Sequence, residues 1–266
     1  MDSSSNNNTS PDDWTRYQIG KESELRVEVG GGESGDPENC VHVRLESGTA
    51  EVFGAELVNN RTYLFPPRYK FAVFTWHGAH IRLRGNIEHS YENSDTPMMT
   101  YANVHQRLEA RRERARQQEA DRGPRVLVAG DTDSGKSSLL RLLTTYACRL
   151  GHAPTFVDLD CGQGEISIPG TIGATPLDKK CIHPVVGTVV SECYCCYYVT
   201  FEEGYCILTL VFPFLPQEGF LYTVPLVYFT GVTSPSNNLQ LYKNHVTRLA
   251  EAVEKRMETD TVGKHR

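Results

Sequence analysis

Nine residues, Gly130-Asp131-Thr132-Asp133-Ser134-Gly135-Lys136-Ser137-Ser138, have the types and spacing to do chemistry on a phosphate. They fit the template G-x-x-x-x-G-K-[ST], with Gly130, Gly135, Lys136 and Ser137 at the fixed positions. A nucleotide polyphosphate must be wrapped by backbone N–H groups, so the wrapping loop needs residues without obstructing side chains. A helix after the loop turns its unpaired N–H groups and positive dipole end toward the anion. Lys136 adds a full charge for the outer phosphates, and Ser137 a hydroxyl ligand for Mg²⁺. The pattern predicts a nucleotide-phosphate site.

Such a loop has to be held between a strand and a helix. Upstream, Arg125-Val126-Leu127-Val128-Ala129 is a short apolar run that predicts a buried strand. Downstream, Leu139, Leu140, Leu142, Leu143, Tyr146 and Ala147 recur at helical spacing as far as Gly151, a natural stop. Pro154-Thr155-Phe156-Val157-Asp158-Leu159-Asp160 then reads as a second strand ending in acids. Strand, helix and strand predict an α/β P-loop NTPase domain with a parallel sheet over residues 123–266, with ligands at the carboxyl ends of the strands. Asp158 and Asp160 are two apart and would share one face of an extended strand. One carboxylate beside a phosphate loop can hold Mg²⁺ through water, and one can take a proton from an attacking hydroxyl. The alternative is that one of them caps the next turn. Cys161-Gly162-Gln163-Gly164 predicts a flexible, backbone-exposing turn suited to an anion or a substrate strand.

The rest of the chain must supply the frame. Residues 1–13 are rich in Ser, Asn and Asp and read as a disordered leader. Residues 14–103 alternate in short runs, as in Leu25-Arg26-Val27-Glu28-Val29 and Val41-His42-Val43-Arg44-Leu45, and predict an all-β sandwich. His77 and His80 could be a metal pair, or plain turn and surface histidines without a third ligand. Residues 104–122 carry strong helix formers and predict a basic linker helix. Across 103–125 there are seven arginines and four acids. The helix is either a solvated linker, or its arginines border an RNA path or bind a partner.

Hydrophobic content of 39% with 23% charged residues describes a globular protein, and a net charge of −6 argues against a strongly basic nucleic-acid coat. No secretory signal opens the chain, which predicts a reducing, intracellular compartment in which the eight cysteines do not form a disulfide framework. No apolar run reaches the roughly 20 residues needed to cross a bilayer, so no membrane partner is expected.

Several stretches resemble the Clp-type polyribonucleotide 5′-hydroxyl kinases, the P-loop subunit of the pre-mRNA cleavage and polyadenylation machinery. They are Ala50-Glu51-Val52-Phe53-Gly54-Ala55-Glu56-Leu57, Phe71-Ala72-Val73-Phe74-Thr75-Trp76-His77-Gly78, Thr96-Pro97-Met98, residues 123–139, TFVDLDCGQGEISIPGT at 155–171, and 225–250 with Leu241-Tyr242-Lys243. The resemblance implies an N-terminal β-sandwich that helps hold adenine, a central P-loop kinase domain, and a small C-terminal domain. It implies ATP and Mg²⁺ as cofactors, an RNA 5′ end and other cleavage-factor subunits as partners, and a nuclear location. Some members transfer the γ-phosphate to an RNA 5′-hydroxyl; fungal relatives bind ATP without turnover. Glu24 and Lys70 fall on positions that contact ATP from the sandwich. Asp133, Ser134, Gly135, Lys136, Ser137 and Ser138 would hold the phosphates. Lys136 and Asp160 would be catalytic, Asp160 as base, with Ser137 and Asp160 at the metal. No N/T-K-x-D guanine motif supports a GTPase.

The chain departs from the family text in two places. Residues 185–217, rich in Val, Tyr, Cys, Phe and Leu, interrupt a passage that should run from Ile182-His183-Pro184 into Glu218-Gly219-Phe220. The interruption ends Val211-Phe212-Pro213-Phe214-Leu215-Pro216-Gln217, which a polypyrimidine tract and a CAG acceptor would encode, so it reads as a translated intron. Its Cys193-Tyr194-Cys195-Cys196 does not match zinc-knuckle spacing. The text also stops at Arg266, inside the family's kinase domain. On this reading the sheet is C-terminally incomplete, the lid arginines are missing and this form catalyses little.

Overall fold

The computed structural model describes residues 14–33, 37–118, 123–131, 133–177, 182, 184, 185, 196–202, 205–211 and 225–259, with backbone only at 196–202 and 205–211. The leader, most of 185–217 and the side chains of Cys181, Cys193, Cys195, Cys196 and Cys206 lie outside the described residues. The chain divides into two compact units, Met1–Tyr101 and Ala102–Arg266.

The first unit is the expected sandwich. One sheet orders β1 (Thr15–Ile19), β8 (Ala79–Gly85), β3 (Val41–Gly48) and β6 (Thr62–Phe65). The other orders β5 (Ala55–Glu56), β4 (Glu51–Val52), β7 (Lys70–Thr75), β2 (Ser23–Val29) and β9 (Ile87–Asn93). Neighbouring strands in both sheets are antiparallel, and alternation in sequence becomes alternation in burial: Val41, Val43 and Leu45 point inward, as do Leu25, Val27 and Val29. Every such side chain removed from water contributes about 1.5–3 kcal/mol. Phe65 and Phe71 stack with ring centroids 3.7 Å apart. Trp76 is half-buried, edge-on to Phe74. His77 and His80 are exposed, and His80 shares a hydrogen bond with Ser47.

The basic helix, α1, runs Met98–Gln117, starting earlier than the composition suggested. In the second unit α2 spans Lys136–Arg149 and α3 spans Leu239–Thr259, with β10 (Thr155–Asp158), β11 (Thr171–Pro176) and β14 (Leu226–Phe229) forming one sheet. Two apolar layers cover it. Phe156 and Val227 pack with Cys148 of α2, while Ile172 and Ala174 pack with Leu249 of α3. Two further strands, β12 (Cys196–Glu202) and β13 (Tyr205–Val211), pair as an antiparallel hairpin.

The layers are those of an α/β domain, but the strand directions correct the expectation of a parallel sheet. β10 and β14 each pair antiparallel with β11, so they run the same way without touching. The predicted strand at 125–129 is also absent: the segment joins no sheet, and Leu127 is 83% exposed. An apolar run becomes a strand only where a neighbouring edge accepts its N–H and C=O groups. Among the described residues none does. Instead Arg125 pairs with Glu254 of α3 at 2.9 Å. No described helix is long and apolar enough to cross a membrane.

Candidate nucleotide site

α2 begins directly after the glycine-rich loop. Its N-cap is Gly135, at φ 82° in the left-handed region, and no side chain caps the helix. Asp133 is also left-handed, at φ 60°. The first-turn N–H groups are therefore left for a ligand or water, and a glycine is what that backbone turn tolerates. A Cβ at Gly135 would meet nothing within 4 Å, so its role here is conformational. The Lys136 ammonium donates to the Asp131 carbonyl at 2.5 Å, folded across its own loop. Ser134, Ser137 and Ser138 are exposed. Unused backbone donors, a lysine and hydroxyls fit a polyphosphate with Mg²⁺.

The two acids do not share a face. β10 ends at Asp158, which is 9% exposed, while Asp160 lies beyond the strand on the exposed turn. Strand alternation cannot act past the last strand residue, which is why the two-residue rule failed. Asp158 accepts N–H bonds from Asp160 (2.9 Å) and Glu165 (2.5 Å), folding the turn around its carboxylate. Burial raises its pKa, opposed by those same backbone bonds. Asp160 accepts from Gly162 (2.8 Å) and Gln163 (3.0 Å), both through Oδ1. Both acids thus organise the turn. Asp160 alone also faces solvent.

That turn is less flexible than its glycines suggested. A Cβ on Gly162 would lie 2.7 Å from the Thr233 carbonyl oxygen, so glycine permits close packing against the loop after β14. The Tyr242 hydroxyl donates to the Leu159 carbonyl at 2.9 Å, tying α3 to the end of β10. Glu165 binds Arg141 of α2 at 3.0 Å, with both side chains largely buried. Glu165 and Arg141, missed in the sequence, thereby lock the acid-bearing turn to the helix of the phosphate loop. The signal was present: an acid just after Cys161-Gly162-Gln163-Gly164, and an arginine in a helix that carries no acid of its own.

The other two expected nucleotide contacts lie on the sandwich. Glu24 is 5% exposed and fully engaged there, with Arg26 on Oε1 (2.6 Å) and Thr96 on Oε2 (2.8 Å). Lys70 is open to solvent and pairs with Glu28 at 3.1 Å. Among the described residues no group of three His, Cys, Asp or Glu side chains forms a metal cage.

Residues 18–115 match the N-terminal β-sandwich domain of polyadenylation factor, and residues 130–202 and 206–266 match the mRNA cleavage and polyadenylation factor CLP1 P-loop. The chain belongs to the Clp1 family. The polyribonucleotide 5′-hydroxyl-kinase Clp1 of Rattus norvegicus is 39% identical over 260 residues, covering 98% of this chain and 51% of that protein. The chain thus spans about half the length of the curated Clp1 relatives it matches. Its fold resembles that of a chain in a solved Clp1p–Pcf11p complex (TM-score 0.69, 23% identity, 93% of this chain and 51% of that one). A second Clp1p–Pcf11p structure, concerned with ATP loss in a glycine-to-arginine point mutant, matches with TM-score 0.68 at 22% identity over 94% of this chain and 53% of that one.

Proposed function

We propose that this Clp1-family chain is an ATP-binding component of the mRNA 3′-end cleavage and polyadenylation machinery, with the residues of an RNA 5′-hydroxyl kinase. The uncapped start of α2, with left-handed Gly135 and the ammonium of Lys136, carries this reading. When bound, ATP supplies a transferable γ-phosphoryl group and Mg²⁺ neutralises its charge. The chain's own residues do the rest. Asp133 to Ser138 wrap the phosphates, and Lys136 exchanges the Asp131 carbonyl for a phosphate oxygen. Ser137 and Asp160 would hold the metal, and Asp160 would take the proton of the 5′-hydroxyl as its oxygen bonds to the γ-phosphorus and ADP leaves. Glu24 and Lys70 are proposed nucleotide contacts. Lys70 is the more available, because its exposed pair with Glu28 costs little to break.

One observation favours a second reading, a non-catalytic ATP-dependent scaffold. The Asp160 carboxylate already serves as the cap of its own turn. In that reading ATP binds and orders the P-loop unit for other cleavage-factor subunits, as Pcf11p assembles with Clp1p in the solved complexes. A nuclear location follows from either. Labelled γ-phosphate transfer to a 5′-hydroxyl RNA separates the two: transfer supports the kinase, and ATP binding without transfer supports the scaffold. Failure of ATP to bind at all sinks both.

A further inference from the structure

α1 is two-sided. On one side His105 meets the Tyr146 ring at 5.2 Å, and Glu109 takes His152 at 2.8 Å and Arg112 at 3.2 Å. Glu113 is neutralised by Arg116 at 2.9 Å. Both acids of the helix are therefore occupied. Roughly opposite His105 around the helix, Arg107, Arg111 and Arg114 follow at i, i+4 and i+7, all exposed. Among the described residues these three have no acidic partner, and no acid shares their stripe.

Three exposed arginines along one stripe without counter-charge repel one another weakly, and an anionic partner relieves that repulsion. At 1.5 Å per residue the stripe spans about 10 Å, long enough to meet more than one phosphate of an extended strand. A guanidinium fork suits phosphate oxygens at each position. We propose that Arg107, Arg111 and Arg114 form a contact surface for the phosphate backbone of RNA, outside the nucleotide site. The inference takes the identity of its polyanion from the proposed function. The stripe positions a strand without reading its sequence.

The test uses the 266-residue chain and a short single-stranded 5′-hydroxyl RNA, titrated by fluorescence anisotropy over a series of salt concentrations. Gln is nearly as good a helix former as Arg, so the triple variant Arg107→Gln, Arg111→Gln, Arg114→Gln keeps α1. It should bind RNA roughly tenfold or more weakly at low salt, with the slope of log K against log salt reduced by about 2. ATP binding should be unchanged, and the triple Arg→Lys variant should regain most of the slope. A Gln variant with wild-type affinity and slope overturns the stripe while leaving the proposed function standing. A Lys variant that stays as weak as the Gln variant assigns the loss to structure and also overturns it. Wild-type chain that binds ATP but no RNA overturns both the stripe and the RNA part of the function.

Discussion

Lys136 and Asp160 carry the two most direct predictions at the scale of single residues. Lys136→Ala should remove ATP binding, measured by isothermal titration, since the only positive charge on the loop is gone. Asp160→Asn is more discriminating. Asparagine keeps an oxygen to accept the Gly162 and Gln163 N–H groups, so the turn survives. A kinase variant should bind ATP normally and lose phosphoryl transfer by at least about 10²-fold; a scaffold should show no change in assembly or nucleotide affinity. Asp158 behaves differently. Asp158→Ala takes the charged acceptor away from the Asp160 and Glu165 N–H groups, and urea unfolding should show a loss of about 1–3 kcal/mol. The sequence displayed both carboxylates and their spacing. Which of them was buried depended on where β10 stopped, and a stop set by the Asp158 and Glu165 bonds is a tertiary fact.

Among the elements, the turn at 160–164 and helix α1 can each be tested. Gly162→Ala places a Cβ against the Thr233 carbonyl and should destabilise the P-loop unit by about 1–3 kcal/mol, visible as a lower urea midpoint. For α1, the pKa of Glu109 is set by opposing effects: burial raises it, but bonds and charge from His152 and Arg112 outweigh this and hold it low. A carboxylate depressed on folding stabilises the native state above its ordinary value of about 4.3, and that stabilisation fades as pH falls through the lower folded value. Thermal unfolding followed against pH should therefore lose an acid-side slope in Glu109→Gln. α2 was legible almost to the residue, from the Lys136 start to the stop before Gly151, because a loop motif and a 3.6-residue apolar period agreed. β1 and β9 were not. Their residues, Thr-Arg-Tyr-Gln-Ile and Ile-Glu-His-Ser-Tyr-Glu-Asn, are mostly polar because each lies at a sheet edge with much of its surface wet.

For the whole molecule, the division into a sandwich and a P-loop unit was readable because the apolar period changes from 2 to 3.6 between them. The strand directions in the second unit were not readable, since a short apolar run looks the same in a parallel and an antiparallel pair. The segment 185–217 belongs to this scale as well. If it is a translated intron, cDNA across its two junctions should mostly join Pro184 codons to those of Glu218, and genomic sequence should carry splice signals there. Predominant retention of the segment in transcripts would reject that origin.

The bare stretch before the phosphate loop has a consequence for the life of the protein in a cell. Val126 and Leu127 stand 47% and 83% exposed in a run of apolar, strand-prone residues. Such a run is what chaperones grip and what nucleates co-precipitation when chains crowd. Turnover and yield, more than catalytic rate, should then respond to a change there: Leu127→Lys should raise the soluble fraction on expression and lengthen the half-life in a cycloheximide chase.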